Sequence, residues 1–549
     1  MVDTVVANTN AALTNTDGYS DWEPGIAVDP ANPDDIVVTA FSSCWAQECD
    51  GHTNAVLWTS TDAGFRWTKS YSVPPPPNRT AGVGCPCDQT AAYGRNSRFY
   101  ATFLNDLPNP PGEIYTGSST DAAKAADLAW QNTAGTATHT NAAGTDGDQP
   151  QLVTGPDPSA PARDLVYVGY DDFNASPPAV RVAVDSTPLG SQPVRDHQIG
   201  TSSECCINPG LRLATDHRSG AIYAVWEVAT FNSAASPQIL VHYRLNRSTD
   251  GGKTWSLNGS STGIQLAAVP SDQMYNSFTG NPMKFGTVNA LFGGIDSVAV
   301  DPTTGDVYVV YGRRDTSTSK NRLEVIRLRK NASGGLTPGA PVYASGQCQC
   351  ALPSIAVANS GEIGLLYDAF NGFDASGFPQ FSAHLTRSRD HGATFSDVVL
   401  STWSSVVKAD SDSRQRVLGD YQQLKANGMA FYGTFTANGI GFGRPFANTD
   451  AIFFKASADP AITSVAPSAL ARGAADEVVT INGAGFASGA HVTFSNPGIH
   501  VLFMPSIAGN TITVEVTVSP SASLGPSDVT VTNANKGQAT CSQCLAVKP

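Results

Sequence analysis

Short runs of β-branched and small apolar residues alternate along this chain with clusters of Pro, Asn, Asp and Gly, a period-two pattern that predicts strands joined by tight turns. One unit recurs. A first strand of small and apolar residues, a turn and a second strand with aromatic content run as EPGIAVDP then DIVVTAF from Glu23, DQTAAYG then SRFYATFL from Asp88, and DQPQLVTG then DLVYVGYD from Asp148. The unit returns as NPGLRLATD then GAIYAVWE from Asn208, IDSVAVDP then GDVYVVYG from Ile295, LPSIAVANS then EIGLLYDAF from Leu352, and GDYQQLKAN then MAFYGTFT from Gly419. Turns such as DPANPDD and DPTTGD carry hairpin chemistry, and a third strand such as QILVHYRLN follows, usually with a shorter fourth.

Repetition decides the expected fold class. Four-stranded antiparallel units with no helical periodicity between them predict an all-β chain whose residues 1–458 form a β-propeller. Seven starts favour seven blades, with six as the alternative. The last unit runs out near Lys455, so the N-terminal DTVVANTN is expected to supply its missing strand and remove an exposed edge. From about Asp459 the segments PAITSVAPS, EVVTINGAGF, HVTFSN, NTITVEVTVS and SDVTVTN predict a separate small β-sandwich over residues 459–549.

Composition narrows the setting. With 549 residues the chain can bury more than one core, and 51 Gly and 36 Pro suit a turn-rich β protein. The charge of −14 comes without any Lys/Arg cluster, which makes nucleic acid and anionic membrane poor partners. No run of about 18 apolar residues predicts a transmembrane segment, and MVDTVVANTN has no basic-then-apolar leader pattern. Ten cysteines fall in close pairs: Cys44/Cys49, Cys85/Cys87, Cys205/Cys206, Cys348/Cys350 and Cys541/Cys544. That spacing matches neither a zinc ribbon nor scattered core thiols, so it predicts a secreted or cell-surface protein in an oxidising compartment.

The segments STDAGFRW (Ser60–Trp67), STDGGKTW (Ser248–Trp255) and SRDHGATF (Ser388–Phe395) share Ser-x-Asp-x-Gly-x-x-aromatic. This pattern resembles the Asp-box, or BNR repeat, of sialidase-like propellers. The segments ITSVAPS, VTINGAGF and GPSDVTVTN resemble IPT/TIG immunoglobulin-like domains, which implies a spacer or binding accessory at the C-terminal end. A carboxylate can accept N–H bonds inside a turn, Gly permits positive φ and the aromatic can pack between units. Asp62, Asp250 and Asp390 are therefore read as structural. Each motif lies between third and fourth strands, opposite the loops that link one unit to the next. The resemblance implies that substrate sits on the face with those linking loops.

On that face, Asp88, Asp148 and Asp420 align at one position of the first strand, with Glu23 and Asp296 within two positions of it. Converging carboxyl groups can perform general acid/base chemistry on a glycosidic bond; equally, each could cap a strand or hold a structural cation such as calcium. The same alignment puts Cys87, Cys206 and Cys350 at one equivalent position in the second, fourth and sixth units, which predicts loop staples with local pairing or pairing between the first two units. A soft-metal site is the minor alternative. Tyr421 in LGDYQQL resembles the position of the sialidase nucleophile, whereas WEPGIAV stands where that family carries Arg-Ile-Pro. An acidic mouth would need offsetting arginines, and Arg98 and Arg313 are taken as substrate-binding candidates beside Glu23 and Asp296.

Together these features predict a glycoside hydrolase of the sialidase-like superfamily, ahead of a polysaccharide lyase, acting on a glycan at the axial channel mouth without a required cofactor. Asp88, Asp148 and Asp420 take acid/base roles, and Tyr421 is nucleophile or orienting group. The alternative is a non-catalytic extracellular protein that binds glycan or protein through the same face, as an adhesin would.

Overall fold

The computed structural model describes residues 2–5, 22–40, 56–71, 86–105, 113–120, 128–130, 147–175, 177–190, 193–201, 210–233, 236–271, 275–276, 281–438, 449–457, 460–486, 489–533 and 537–549. Among them every regular element is a strand and none is a helix. By contact the chain divides into one unit of residues 1–357, 363–425 and 432–455, and a second of residues 456–549 with segments 358–362 and 426–431.

Seven sheets of four or five strands follow one another in the first unit, with a three-stranded sheet inserted between the fourth and fifth. Their first strands are Gly25–Val28, Pro86–Tyr93, Gly147–Asp157, Arg212–Asp216, Asp296–Val300, Gln349–Val357 and Gln423–Asn427. The seventh sheet takes Val2–Val5 as its outer strand, pairing Val5 with Ile452 of strand Thr449–Ser457. The N-terminal segment thus caps the last sheet, and the edge that Thr449–Ser457 would expose is paired.

Neighbouring sheets of this unit pack against one another, which explains their composition. The run Val307–Tyr311 is buried on both faces rather than alternately. Between the third and fourth sheets, Tyr167, Val182 and Val184 meet Leu213, Ile222 and Trp226; between the fourth and fifth, Tyr223, Val241 and Tyr243 meet Val309, Tyr311 and Leu328. Full burial of each such side chain contributes about 2–3 kcal/mol. The aromatic residues of these strands are therefore core: Tyr170, Trp226, Tyr311 and Tyr367 are all almost fully buried.

The first hairpin of several sheets turns on an Asp. Asp29, Asp157, Asp216 and Asp301 accept through Oδ1 from the backbone N–H two residues on, in Ala31, Ser159, Arg218 and Thr303. This is the turn chemistry that DPANPDD and DPTTGD encode.

A second set of bonds links first strands of successive sheets. Thr90 Oγ1 accepts from Leu152 N at 2.8 Å, Ser297 Oγ from Ile355 N at 3.3 Å and Ser354 Oγ from Leu424 N at 2.9 Å. Gln151 accepts from Leu213 N, and Gln423 Oε1 accepts from Ile26 N at 3.1 Å. The last link runs from the seventh sheet back to the first. Since each link joins the same strand position, it also defines which residues are equivalent from sheet to sheet.

In the second unit, strands Ala461–Ala466, Glu477–Ala484, Thr511–Val518, Ile499–Val501 and Ser506–Ala508 form one sheet. Ala469–Ala471, Gln538–Lys548, Gly525–Thr532 and His491–Phe494 form the other. They share a core that includes Val479, Ile481, Ile512, Val514, Val529, Val531 and Leu545. Alternation is clean in Thr511–Val518, whose buried residues are Ile512, Val514, Val516 and Val518, because the shared core lies on one face of that sheet.

Candidate functional site

The segments leading into the first strands bring carboxyl groups together. In the second sheet, Cys87 pairs with Leu104 before a bulge; in the third, Asp148 pairs with Asp171 before the same bulge; in the sixth, Ala351 pairs with Asp368. The residue after each pair has positive φ: Asp88 at 43°, Gln149 at 43° and Leu352 at 56°. The alignment of Asp88 with Asp148 is therefore off by one. Asp148 shares its position with Cys87 and, through the links between sheets, with Asp420, while Asp88 shares its position with Glu23, Gln149 and Tyr421. Cys350 likewise lies one residue before the Cys87 position. The bulge absorbs the offset that a match on residue type cannot see.

Glu23 also adopts positive φ, at 54°. Two acidic residues held in this sparsely populated region cost energy that packing elsewhere must offset. What restrains Glu23 is a network. Its N–H donates to Leu418 O at 3.2 Å, and its Oε1 accepts from Asp420 N at 2.9 Å. Arg416 donates to both Glu23 and Asp420. Asp420 also accepts from Phe292 N at 2.8 Å and from Gln149 Nε2 at 3.0 Å. Gln89 Nε2 donates to Glu23 O at 2.8 Å.

Asn289, fully buried in the inserted three-stranded sheet, fixes the segment that carries Arg416 and Asp420. Its Oδ1 accepts from the backbone N–H of Val417, Leu418 and Gly419 at 2.8–3.0 Å.

Burial dominates the electrostatics. It pushes the Asp88 carboxyl well above its usual range, and the neighbouring Glu23 and Asp148 charges add to the effect. Burial also raises Glu23, with Arg416 opposing. Asp171 is raised well above normal by burial and then by Asp148. Glu227 and Asp296 are both raised well above normal by burial, with Asp296 further raising Glu227 and Arg212 lowering each. Tyr421 is buried beside this cluster. Its hydroxyl donates to Gln89 O at 3.3 Å, the Arg212 guanidinium lies 5.6 Å from its ring, and burial pushes its hydroxyl far up.

Most of the cluster is dry: Glu23, Asp171, Glu227 and Asp296 are no more than 1% exposed. Asp148 and Arg416 are half-buried and mark its solvent side. Beneath Tyr421 a cavity of about 50 Å³ is lined by Thr90, Gln149, Arg212, Ser354, Gln423 and Lys425, among others. Burial lowers the Lys425 ammonium to about 8.

Six residues expected at the site are thus brought together: Glu23, Asp88, Asp148, Asp296, Asp420 and Tyr421. Arg313 lies at the same end of its sheet as Asp296 and pairs with Glu324 at 3.1 Å. Arg98 is elsewhere. It ends the turn between Pro86–Tyr93 and Phe99–Asn105, at the opposite end of the strand from Asp88, and donates to Ser118 Oγ at 3.3 Å. The strand between them separates Arg98 from the carboxyl cluster, which corrects its expected place at the mouth.

Asp171, Glu227 and Asp368 were not expected. They occupy one equivalent position near the end of the second strand in the third, fourth and sixth sheets, each directly after a buried aromatic: Tyr170, Trp226 and Tyr367. That aromatic-acid pair is the sequence signal that could have found them. Asn289 carries no local signal, and Arg416 is one of the arginines that an acidic mouth would need.

The three Ser-x-Asp-x-Gly turns stand apart from this cluster, between third and fourth strands. Asp62 accepts from Ser60 Oγ and Arg66 N, Asp250 from Ser248 Oγ and Thr254 N, and Asp390 from Ser388 Oγ and Thr394 N, all at 2.8–3.0 Å. Gly64, Gly252 and Gly392 have φ of 91°, 78° and 87°. Each carboxylate is consumed by its own turn.

Cys348–Cys350 and Cys541–Cys544 are disulfides, with Cα separations of 5.4 and 5.7 Å, and Cys87 is also disulfide-bonded. Cys44, Cys49, Cys85, Cys205 and Cys206 lie outside the described residues. Among the described residues no group of three or more His, Cys, Asp or Glu side chains has the geometry to hold a metal ion, and no helix is long and apolar enough to cross a membrane.

No protein-family model matches the sequence. No curated protein matches it either. Solved structures similar to this chain include an α-L-arabinanase from Penicillium chrysogenum complexed with arabinobiose, at 11% identity over 73% of this chain and 98% of that one, with a TM-score of 0.37. An α-L-arabinofuranosidase from Fusarium graminearum is 12% identical over 73% of this chain and 96% of that one, with a TM-score of 0.37. A polysaccharide lyase acting on ulvan is 11% identical over 80% and 94%, with a TM-score of 0.35. Likeness at this level assigns no activity to the present chain.

Proposed function

We propose that the protein is an extracytoplasmic carbohydrate-active enzyme, a glycoside hydrolase in which the seven sheets are the blades of one β-propeller and the second unit is an immunoglobulin-like accessory. The observation that carries the reading is the convergence of Glu23, Asp88, Asp148 and Asp420 around Arg416, with unlike surroundings for the individual acids. Glycosidic cleavage needs one carboxyl group that holds a proton and one that is charged.

Asp88 fits the first role, since burial and two flanking acids raise its proton affinity well above that of an ordinary carboxyl. It would deliver that proton to the departing glycosidic oxygen. Asp420, ion-paired with Arg416 and accepting from Phe292 N and Gln149 Nε2, fits the second role, either attacking the anomeric carbon or activating a water. Glu23 and Asp148 set the proton affinity of Asp88, and half-buried Asp148 and Arg416 meet the incoming sugar. Tyr421 orients rather than attacks, because its surroundings favour the neutral phenol. The Ser-x-Asp-x-Gly turns are structural in this reading, and the paired cysteines staple loops.

The test is turnover on a panel of neutral and uronate-containing glycans, with reducing ends and unsaturated products followed separately. Hydrolysis lost by about 10²–10⁴ in Asp88→Asn and Asp420→Asn supports the reading. Unsaturated products would indicate a lyase instead, and glycan binding without turnover would indicate the adhesion-type protein.

A further inference from the structure

Away from the carboxyl cluster, the sixth sheet holds a second chain of reactive groups. Ser382 and His384 lie two residues apart on strand Pro379–Ser388 and so face the same side of the sheet. Ser382 Oγ is 2.7 Å from His384 Nε2, and His384 Nδ1 is 2.7 Å from Asp397 Oδ2 on the neighbouring strand Ser396–Ser404. The other Asp397 oxygen accepts from Tyr367 OH at 3.0 Å. His384 stacks on the Tyr367 ring at 4.8 Å and 13°, which holds the imidazole plane.

From this geometry we infer that Ser382, His384 and Asp397 form a serine nucleophile relay that accepts the acyl group of a small carboxylic ester. Asp397 accepts a hydrogen bond from His384 Nδ1–H, leaving Nε2 to take the proton of Ser382. Roles are recognised by such geometry and not by chain order. Asn371, exposed at the end of strand Ile363–Phe373, donates from Nδ2 to Ser382 Oγ at 2.9 Å, close enough to turn onto an oxyanion formed there.

Ser382 Oγ bonds to the carbonyl carbon as its proton passes to His384 Nε2. The tetrahedral oxyanion collapses, the bond to the alkoxide breaks, and Nε2 returns the proton to the departing alcohol. Water then repeats the sequence on the acyl-serine, releasing the acid and restoring Oγ–H. Ser382 is only 3% exposed, so the proposed substrates are limited to esters of a short acyl group.

Incubation of the full chain with a fluorophosphonate probe and with p-nitrophenyl acetate tests the inference. Peptide mass spectrometry is expected to find the phosphonyl group on Ser382, with acetate turnover exceeding that of a longer acyl ester. Ser382→Ala should remove both, and Asp397→Asn, at an exposed side chain, should slow turnover about a thousandfold with the fold intact by circular dichroism. A wild-type chain that is unlabelled at Ser382, or a folded Ser382→Ala that turns over acetate at the wild-type rate, overturns the inference. Glycan hydrolysis at the carboxyl cluster is unaffected by Ser382→Ala, so the two activities fail separately.

Discussion

Asn289 holds the Gly419 backbone at two points: its Oδ1 accepts from Gly419 N at 2.9 Å and its Nδ2 donates to Gly419 O at 2.8 Å. The same Oδ1 also takes the N–H groups of Val417 and Leu418, so one buried amide organises the backbone between Arg416 and Asp420.

Asn289→Ala should leave three buried N–H groups and one carbonyl without a partner. Each unsatisfied group costs roughly 1–3 kcal/mol, so the variant is expected to lose several kcal/mol in urea unfolding, partly relieved by water. Loss of the Arg416–Asp420 geometry should reduce the proposed glycan turnover more than thermal stability alone explains. Wild-type midpoint and activity would refute the positioning role.

Asp368 provides a pH test, because burial alone drives its carboxyl well above the usual 3.8 and neither oxygen has a hydrogen-bond partner among the described residues. The folded chain retains this proton while the unfolded chain releases it. The stability from this group is therefore complete below about pH 4 and is lost as pH rises towards the folded value, at about 1.4 kcal/mol per pH unit. Asp368→Asn cannot ionise, so its Tm should gain on that of wild type as pH goes from 4 towards neutrality. Parallel Tm–pH curves would count against the assignment.

The Ser-x-Asp-x-Gly turns make the opposite prediction for acid. Burial tends to raise Asp250, but bonds from Thr254, Ser248 and Lys253 outweigh it and lower its pKa. The contribution is present above the unfolded value of 3.8 and is lost as pH falls through the folded one. Asp250→Ala should cost about 1–3 kcal/mol at neutral pH and progressively less as the pH falls below 3.8. At Gly252, a Cβ would lie 2.6 Å from Val184 Cγ2 at φ +78°, so Gly252→Ala should destabilise at every pH. Denaturant melts at two pH values separate the two effects.

For the cysteines, digestion without reduction should yield peptides closed by Cys348–Cys350 and by Cys541–Cys544. Replacing Cys348 and Cys350 together by Ser should cost only about 1–2 kcal/mol, since the loop is short. Free-thiol labelling at these four positions in the untreated protein would contradict the pairing.

What could be read from the sequence was local. Alternation and turn chemistry marked the strand pairs, because Asp29, Asp216 and Asp301 bond to backbone two residues away and need no distant partner. The Ser-x-Asp-x-Gly turns were legible for the same reason. The edge left open near Lys455 also pointed to an N-terminal partner strand, and Val2–Val5 pairs there.

The site needed the tertiary structure. Only the ladders reveal the bulge that places Asp148 level with Cys87 instead of Asp88, since a bulge shifts register without leaving a residue-type mark. Asp171 and Glu227 approach the first-strand acids only because second strands end beside them, and Arg416 meets Glu23 only because the seventh sheet adjoins the first. Sequence by itself determined an all-β chain of repeated strand pairs with turns that fold themselves. Tertiary structure decided which carboxyl groups meet, because proton affinity and charge pairing depend on burial and on neighbours that lie hundreds of residues away along the chain.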